Sequence, residues 1–215
     1  MDSAPFQSLL LDFDGPICSV FAGFPAWRVA QELREYLQSR APVNWMKESD
    51  DPHDILRASA ELGQSVSVSA HRKLAALEME AVKSATPTPY AADVIRGARA
   101  AGIPLAVVSN NAESAVIEYL SATGLMRYVD YVSARVSEDV SLMKPNPYLV
   151  TRAIFALNAA SVISALVGDQ TSDIIAAHRA GIKAIGYANK SGKREKFAEV
   201  AADLVITSMA ELLLP

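Results

Sequence analysis

Ala101-Gly102-Ile103-Pro104-Leu105-Ala106-Val107-Val108 and Ala180-Gly181-Ile182-Lys183-Ala184-Ile185-Gly186-Tyr187 follow the same scheme. Each comes after a stretch of helical character, from Ala91 in the first case and from Asp173 in the second. Glycine just past a helix takes the left-handed conformation that ends it, and the apolar run beyond reads as a strand. Pro104 is tolerable because it falls near the start of its strand. Further short apolar runs lie at Leu9-Leu10-Leu11, Tyr128 to Val132, Val162 to Val167 and Leu204 to Ile206. Strands alternating with helices, several of them wholly apolar, predict an α/β fold with a parallel sheet covered on both faces.

Residues 17–85 break this rhythm. Trp27 to Leu37 and Ile55 to Leu62 have helical spacing, and Ala70 to Lys83 is rich in good helix formers, with no convincing strand between them. Glu48-Ser49-Asp50-Asp51-Pro52-His53-Asp54 reads as a loop ending in a helix cap, with its other carboxylates solvated. Thr86-Pro87-Thr88-Pro89 reads as a stiff linker back to the α/β pattern. A helical module of residues 17–85 is therefore expected as an insertion in a core of residues 1–16 and 86–215.

The 215 residues suffice for one sizeable core with a modest second module, and 51% hydrophobic with 20% charged residues fits a compact globule. A net charge of -4 with scattered basic residues favours neither nucleic acid nor an anionic membrane as partner. Cys18 is the single cysteine, so no intrachain disulfide is possible; a reducing compartment and a packed, unreactive side chain are expected. Met1 to Pro5 lacks the pattern of a secretory signal, and no apolar stretch approaches the ~20 residues needed to span a bilayer, which together predict a soluble cytoplasmic protein.

Four strand ends carry candidate chemistry. Asp12-Phe13-Asp14-Gly15 follows Leu9-Leu10-Leu11, and alternation along a strand lets both carboxylates face one side while Phe13 faces the other. Such a pair suits a divalent cation and a nucleophile with a partnering acid, although Asp and Gly are also common in plain turns. Ser109-Asn110-Asn111 follows Val107-Val108 and leads into a helix near Glu113, where these residues would cap the helix and present N–H groups and a hydroxyl to an anion. Met143-Lys144-Pro145-Asn146-Pro147 holds Lys144 in a stiff loop before a helix near Tyr148. Gly168-Asp169-Gln170-Thr171-Ser172-Asp173 places two more carboxylates after a strand, either as turn and helix-dipole residues or as ligands for Mg²⁺.

This ordered set resembles the haloacid dehalogenase superfamily, in its phosphatase-like branch with a helical cap after the first motif. The resemblance implies a Rossmann-like core and phosphoryl transfer through an aspartyl-phosphate. By position, Asp12 matches the nucleophile, Asp14 the general acid/base, and Ser109, Asn110 and Lys144 the phosphate-binding positions. Asp169 matches a direct Mg²⁺ ligand, with Asp12 and the backbone carbonyl of Asp14 also on the metal and Asp173 supporting the site through water or Lys144. Pro16 stands where the family usually has Thr or Val, which removes an N–H near the phosphate loop and stiffens the path into the insertion. The resemblance implies a Mg²⁺-dependent phosphatase of a small phosphorylated metabolite; a phosphomutase of the β-phosphoglucomutase type, or a catalytically silent binding protein, would share these motifs. Oligomeric state is not readable.

His53, His71 and His178 have no metal-ligand spacing and read as surface or helix-packing residues. Lys190-Ser191-Gly192-Lys193-Arg194 reads as a solvated loop on the same sheet edge. Trp27 and Trp45 would pack inside the helical module or line a pocket.

Overall fold

The computed structural model describes residues 6–40, 48–160 and 163–213. Met1 to Pro5, Trp45 and Val162 lie outside these residues. The chain forms β1 (Ser8–Leu11), β2 (Cys18–Ser19), α1 (Ala26–Gln38), α2 (Pro52–Ser59), α3 (Gln64–Ala81), β3 (Thr86–Pro87) and α4 (Ala91–Ala100). It continues through β4 (Leu105–Ala112), α5 (Glu113–Ala122), β5 (Tyr131–Arg135), α6 (Tyr148–Ala156), β6 (Ser164–Gly168), α7 (Thr171–Arg179), β7 (Lys183–Tyr187), α8 (Lys193–Glu199) and β8 (Leu204–Ile206). Six strands form one parallel sheet in the order β5-β4-β1-β6-β7-β8.

The two helix stops behave as their sequences predict. Gly102 and Gly181 have φ of +70° and +73°. Around the first, Ile103 N donates to Ala98 O and Gly102 N to Arg99 O; around the second, Ile182 N donates to Ala177 O and Gly181 N to His178 O. This paired closure satisfies the last carbonyls of α4 and α7 and sends the chain straight into β4 and β7.

Alternation along the strands divides the interior into two faces. Leu9, Leu11, Leu105 and Val107 pack with α4 and α5 on one side of the sheet. Leu10, Ala106, Val108 and Leu166 pack with α6, α7 and Phe197 of α8 on the other. The sheet is thus a buried middle layer between two helical layers, which is why its strands read as continuous apolar runs. A third cluster joins Val29, Leu33 and Leu37 of α1 to Ile55 and Leu56 of α2 and Leu74 and Leu77 of α3, with Met143 closing it.

Several boundaries differ from the sequence reading. Residues 17–85 do contain a strand: β2 pairs antiparallel with β3, so Thr86-Pro87 of the expected linker is half of a two-stranded ribbon. Two residues are too few to show alternation, and β2 and β3 are far apart in the sequence. β5 begins at Tyr131 rather than Tyr128, because Met126–Tyr128 forms a short 3₁₀ turn. Trp27 is 53% exposed on α1, so it packs in no core. Among the described residues no helix is long and apolar enough to cross a membrane.

Candidate active site

β1 lies between β4 and β6, and the strand order reverses there. Ligands of open α/β sheets collect in the crevice beyond the carboxyl ends of the strands at this reversal. The crevice is a cavity of about 570 Å³ lined by Asp12, Asp14, Ser109, Lys144, Asp169 and Asp173, among others. All four sequence segments therefore converge.

Asp12 continues β1 for one residue, its N–H bonding Val167 O at 2.8 Å. Phe13 turns into the core, edge-on to Tyr119 with ring centroids 5.4 Å apart, so Asp12 and Asp14 both face the cavity. Asp14 Oδ1 accepts the Val20 N–H at 2.9 Å, which ties the path into the helical segment to the acid. Gly15 is required twice over. Its φ is +102°, and a Cβ there would lie 2.5 Å from Asp169 Cγ. Gly168 is packed as tightly against the Asp173 side chain. Only glycine lets the backbone approach these carboxylates so closely.

Lys144 is 1% exposed. Its Nζ sits 2.8 Å from Asp12 Oδ1 and 2.7 Å from Asp173 Oδ1, and donates to Val108 O at 2.9 Å. Burial alone would lower its pKa, but Asp12 and Asp173 hold it well above the ordinary lysine value, so it stays charged. Asn110 fixes its backbone: Lys144 N donates to Asn110 Oδ1 at 2.8 Å, and Asn110 Nδ2 to Lys144 O at 3.1 Å. The Asn110 amide is thus engaged with the lysine loop, although the residue lines the cavity as its position predicts.

Ser109 faces the cavity but does not cap α5. β4 runs on to Ala112, which is the N-cap and has no side-chain cap of its own. Val108 pairs with Ser133 and Ala112 with Arg135, so β4 bulges over the residues between. A bulge re-aims side chains beside a site, and here it presents Ser109 and Asn110. The Asn111 N–H donates to Ser109 Oγ at 3.1 Å and the Ala112 N–H to Glu78 Oε2 at 2.8 Å, so neither is left for an anion. The capping carboxylate comes from α3, which no local reading of residues 109–113 could reveal.

Asp12, Asp169 and Asp173 each offer a carboxylate oxygen within 4.8 Å of the others. The carboxylate of Asp14 is not in this group. Asp173 also performs the helix role foreseen for it, since its Oδ2 accepts the Gln170 N–H at 2.9 Å and closes a capping box. Its Oδ1 is buried and faces the Lys144 ammonium at 2.7 Å. Burial and the neighbouring Asp173 raise the Asp12 pKa above its ordinary value, with Lys144 opposing. Burial likewise lifts Asp14 to about 6, and raises Asp169 against the pull of Lys193. Three crowded carboxylates of this kind, their pKa values raised by burial and by one another, fit a divalent cation.

Lys193 corrects the reading of residues 190–194 as a solvated loop. It opens α8 and bonds Asp169 Oδ2, which also accepts Asn189 Nδ2 at 3.3 Å. Its charge stands beside Asp169 where a cation's charge would otherwise be felt. His53 packs between helices as expected, its Nε2 3.2 Å from Glu78 Oε1, and it also lines the cavity. Asp51 caps α2 as predicted, accepting the His53 N–H at 2.8 Å, yet it and Asp50 line the cavity too. Arg57 joins them and donates to Lys144 O at 3.1 Å.

Residues 32–187 match the model of the haloacid dehalogenase-like hydrolases. The chain belongs to this family. The matched span includes Ser109, Lys144, Asp169 and Asp173, and it begins beyond Asp12 and Asp14, whose place rests on the geometry above. Among curated proteins, the chain is 32% identical over 114 residues to the pyrophosphatase PpaX of Halalkalibacterium halodurans, covering 52% of this chain and 51% of that one. It is 31% identical over 118 residues to a plasmid phosphoglycolate phosphatase of Cupriavidus necator, covering 53% and 48%. The chain thus spans about half the length of the curated relatives it matches. Among solved structures, CbbY from Rhodobacter sphaeroides in complex with phosphate superposes with a TM-score of 0.75 at 22% identity, over 96% of both chains. A predicted phosphatase from Clostridium acetobutylicum gives 0.75 at 17% identity, also over 96% of both. At these identities the structural matches speak for the family's fold.

Proposed function

We propose that this haloacid dehalogenase-like protein is a Mg²⁺-dependent phosphatase of a small phosphorylated metabolite, acting through an aspartyl-phosphate on Asp12. The observation that carries the proposal is the setting of Asp12: it lies at the sheet's reversal point, 2.8 Å from a buried Lys144 ammonium and beside Asp169 and Asp173. The names of the curated relatives, a pyrophosphatase and a phosphoglycolate phosphatase, support a small phosphorylated substrate.

An Asp12 oxygen attacks phosphorus as the bond to the ester oxygen breaks, and Asp14 gives its proton to the departing alkoxide. Asp14 then takes a proton from water, whose oxygen attacks phosphorus and releases the Asp12 carboxylate with inorganic phosphate. A carboxylate whose pKa lies at about 6 can alternate between these roles near neutrality. Lys144 offsets the repulsion between the Asp12 carboxylate and the phosphate dianion, and the Ser109 hydroxyl, turning from Asn111 Oδ1, holds a phosphoryl oxygen. A Mg²⁺ bound by Asp12, Asp169, Asp173 and the carbonyl of Asp14 would supply further charge neutralisation.

The segment of residues 17–85 serves as a cap over Asp12. Phe21, Asp50, Asp51, His53 and Arg57 reach the cavity from it, and α1 to α3 share their own apolar cluster. A cap of this kind excludes water during transfer and contacts the unreactive part of the substrate. The single buried cysteine supports a cytoplasmic location. A Mg²⁺-dependent assay with an aryl phosphate tests the proposal. Turnover that requires Mg²⁺ and vanishes in Asp12→Asn is expected, whereas no turnover of any phosphate ester in wild type would refute it. Release of free phosphate rather than an isomerised ester separates the phosphatase from a mutase.

A further inference from the structure

Glu78 of α3 is wholly buried, and four groups converge on its carboxylate. Oε2 accepts Arg135 Nη2 at 2.5 Å and Ala112 N at 2.8 Å. Oε1 accepts Asn111 Nδ2 at 3.2 Å and lies 3.2 Å from His53 Nε2. Arg135, itself 4% exposed at the end of β5, donates from Nε to Asn110 O at 2.9 Å and from Nη1 to His71 Nδ1 at 2.8 Å. Asn111 completes the circuit, since its Oδ1 accepts the Ser109 hydroxyl at 3.1 Å.

Every residue of the β4 bulge is therefore tied, directly or through one neighbour, to a carboxylate carried by the helical segment. A buried charge persists only where its partners satisfy it, so the network has one well-paired arrangement, with α3 seated on β4 and β5. Withdrawing α3 would leave Arg135 Nη2, Asn111 Nδ2 and the Ala112 N–H without their acceptor and loosen the backbone that carries Ser109. His53 adds a path from the cavity, because the same ring faces the substrate space and Glu78.

The geometry points to Glu78 as a positioning residue: it sets the Ser109–Asn110–Asn111 bulge for phosphate through Asn111 and Arg135, and makes that setting depend on the docking of the helical segment. The inference rests on the phosphatase reading of the Ser109 site. Glu78 is not among the residues that line the cavity, and it contacts none of Asp12, Asp169 or Asp173. Its removal should therefore act on phosphate and spare the metal.

The test titrates the full-length protein with Mg²⁺ alone, then with inorganic phosphate at saturating Mg²⁺. Glu78→Gln keeps the size but offers one acceptor oxygen where the carboxylate offers two, so some of the converging donors lose their partner. Phosphate affinity is expected to fall by about tenfold or more, the range seen when an outer residue that orients a ligand is removed, with Mg²⁺ affinity unchanged. Arg135→Lys keeps a cation for Glu78 but cuts its link to the Asn110 carbonyl; it should show the same split, and it carries the test if Glu78→Gln does not fold. Wild-type phosphate affinity in Arg135→Lys, or equal losses for phosphate and Mg²⁺, would overturn the positioning role. A wild-type protein with no Mg²⁺-dependent affinity for phosphate would overturn the phosphatase reading itself.

Discussion

Asp169 stands between two cations, Lys193 in the structure and the proposed Mg²⁺, and its replacement separates metal affinity from chemistry. Asp169→Asn removes one negative ligand while keeping the shape that Gly15 demands. Mg²⁺ affinity should fall by about 10-fold or more, and raised Mg²⁺ should restore part of the rate. A variant with wild-type Mg²⁺ affinity would place the cation elsewhere. At this scale the sequence was informative wherever a residue followed an apolar run. Asp12, Asp14, Ser109, Asp169 and Asp173 all follow an apolar run in the sequence, Lys144 sits in a proline-stiffened loop, and all reach one cavity. Lys193 was legible only as a charge near the right edge, since its partner is 24 residues away.

The link between α3 and the bulge of β4 gives the element scale its prediction. Burial would raise the Glu78 pKa, but Arg135, with the hydrogen bonds from His53 and Ala112, holds it below its ordinary 4.5. A depressed carboxylate stabilises the fold above its unfolded-state pKa, and that contribution disappears as pH falls through the folded-state value. Wild type should therefore exceed Glu78→Gln in Tm at neutral pH, with the gap closing as pH falls below the ordinary glutamate value. His71 faces the same Arg135, and burial together with that guanidinium lowers its pKa, with Glu78 opposing. A gap that persists unchanged in acid would show that Glu78 is not ionised in the fold. One trace of this network was visible in the sequence. Ala70, Leu74, Leu77, Glu78 and Ala81 form the buried stripe of α3, where a lone carboxylate demands a partner. The partner itself could not be named, because Arg135 lies 57 residues further along. The capping of α5 was misread for the same reason, as its acceptor is also Glu78.

Across the whole molecule, the parallel sheet supplies the charged floor of the cavity and the helical segment part of its walls. Phe21 reaches the cavity from the segment and makes none of the polar contacts that hold Ser109 or Lys144. Phe21→Ala should therefore lower kcat/KM for the natural ester more than for a minimal phosphodonor such as acetyl phosphate, by a factor on the order of 10. Equal losses for both would deny the segment a part in selectivity. The alternation of strand and helix made the sheet legible. The ribbon of β2 with β3 was not, because it joins two-residue strands from opposite ends of the segment.

The central claim is a covalent phosphate on Asp12, and mass spectrometry of the intact protein and its peptides tests it most directly. Acetyl phosphate has a good leaving group, so the first step needs little help from an acid, while hydrolysis of the adduct still needs Asp14 as base. With Mg²⁺ and acetyl phosphate, Asp14→Ala should accumulate one phosphate on the peptide carrying Asp12, and Asp12→Asn should carry none. Phosphate on a serine or histidine, or turnover that survives in Asp12→Asn, would contradict the mechanism.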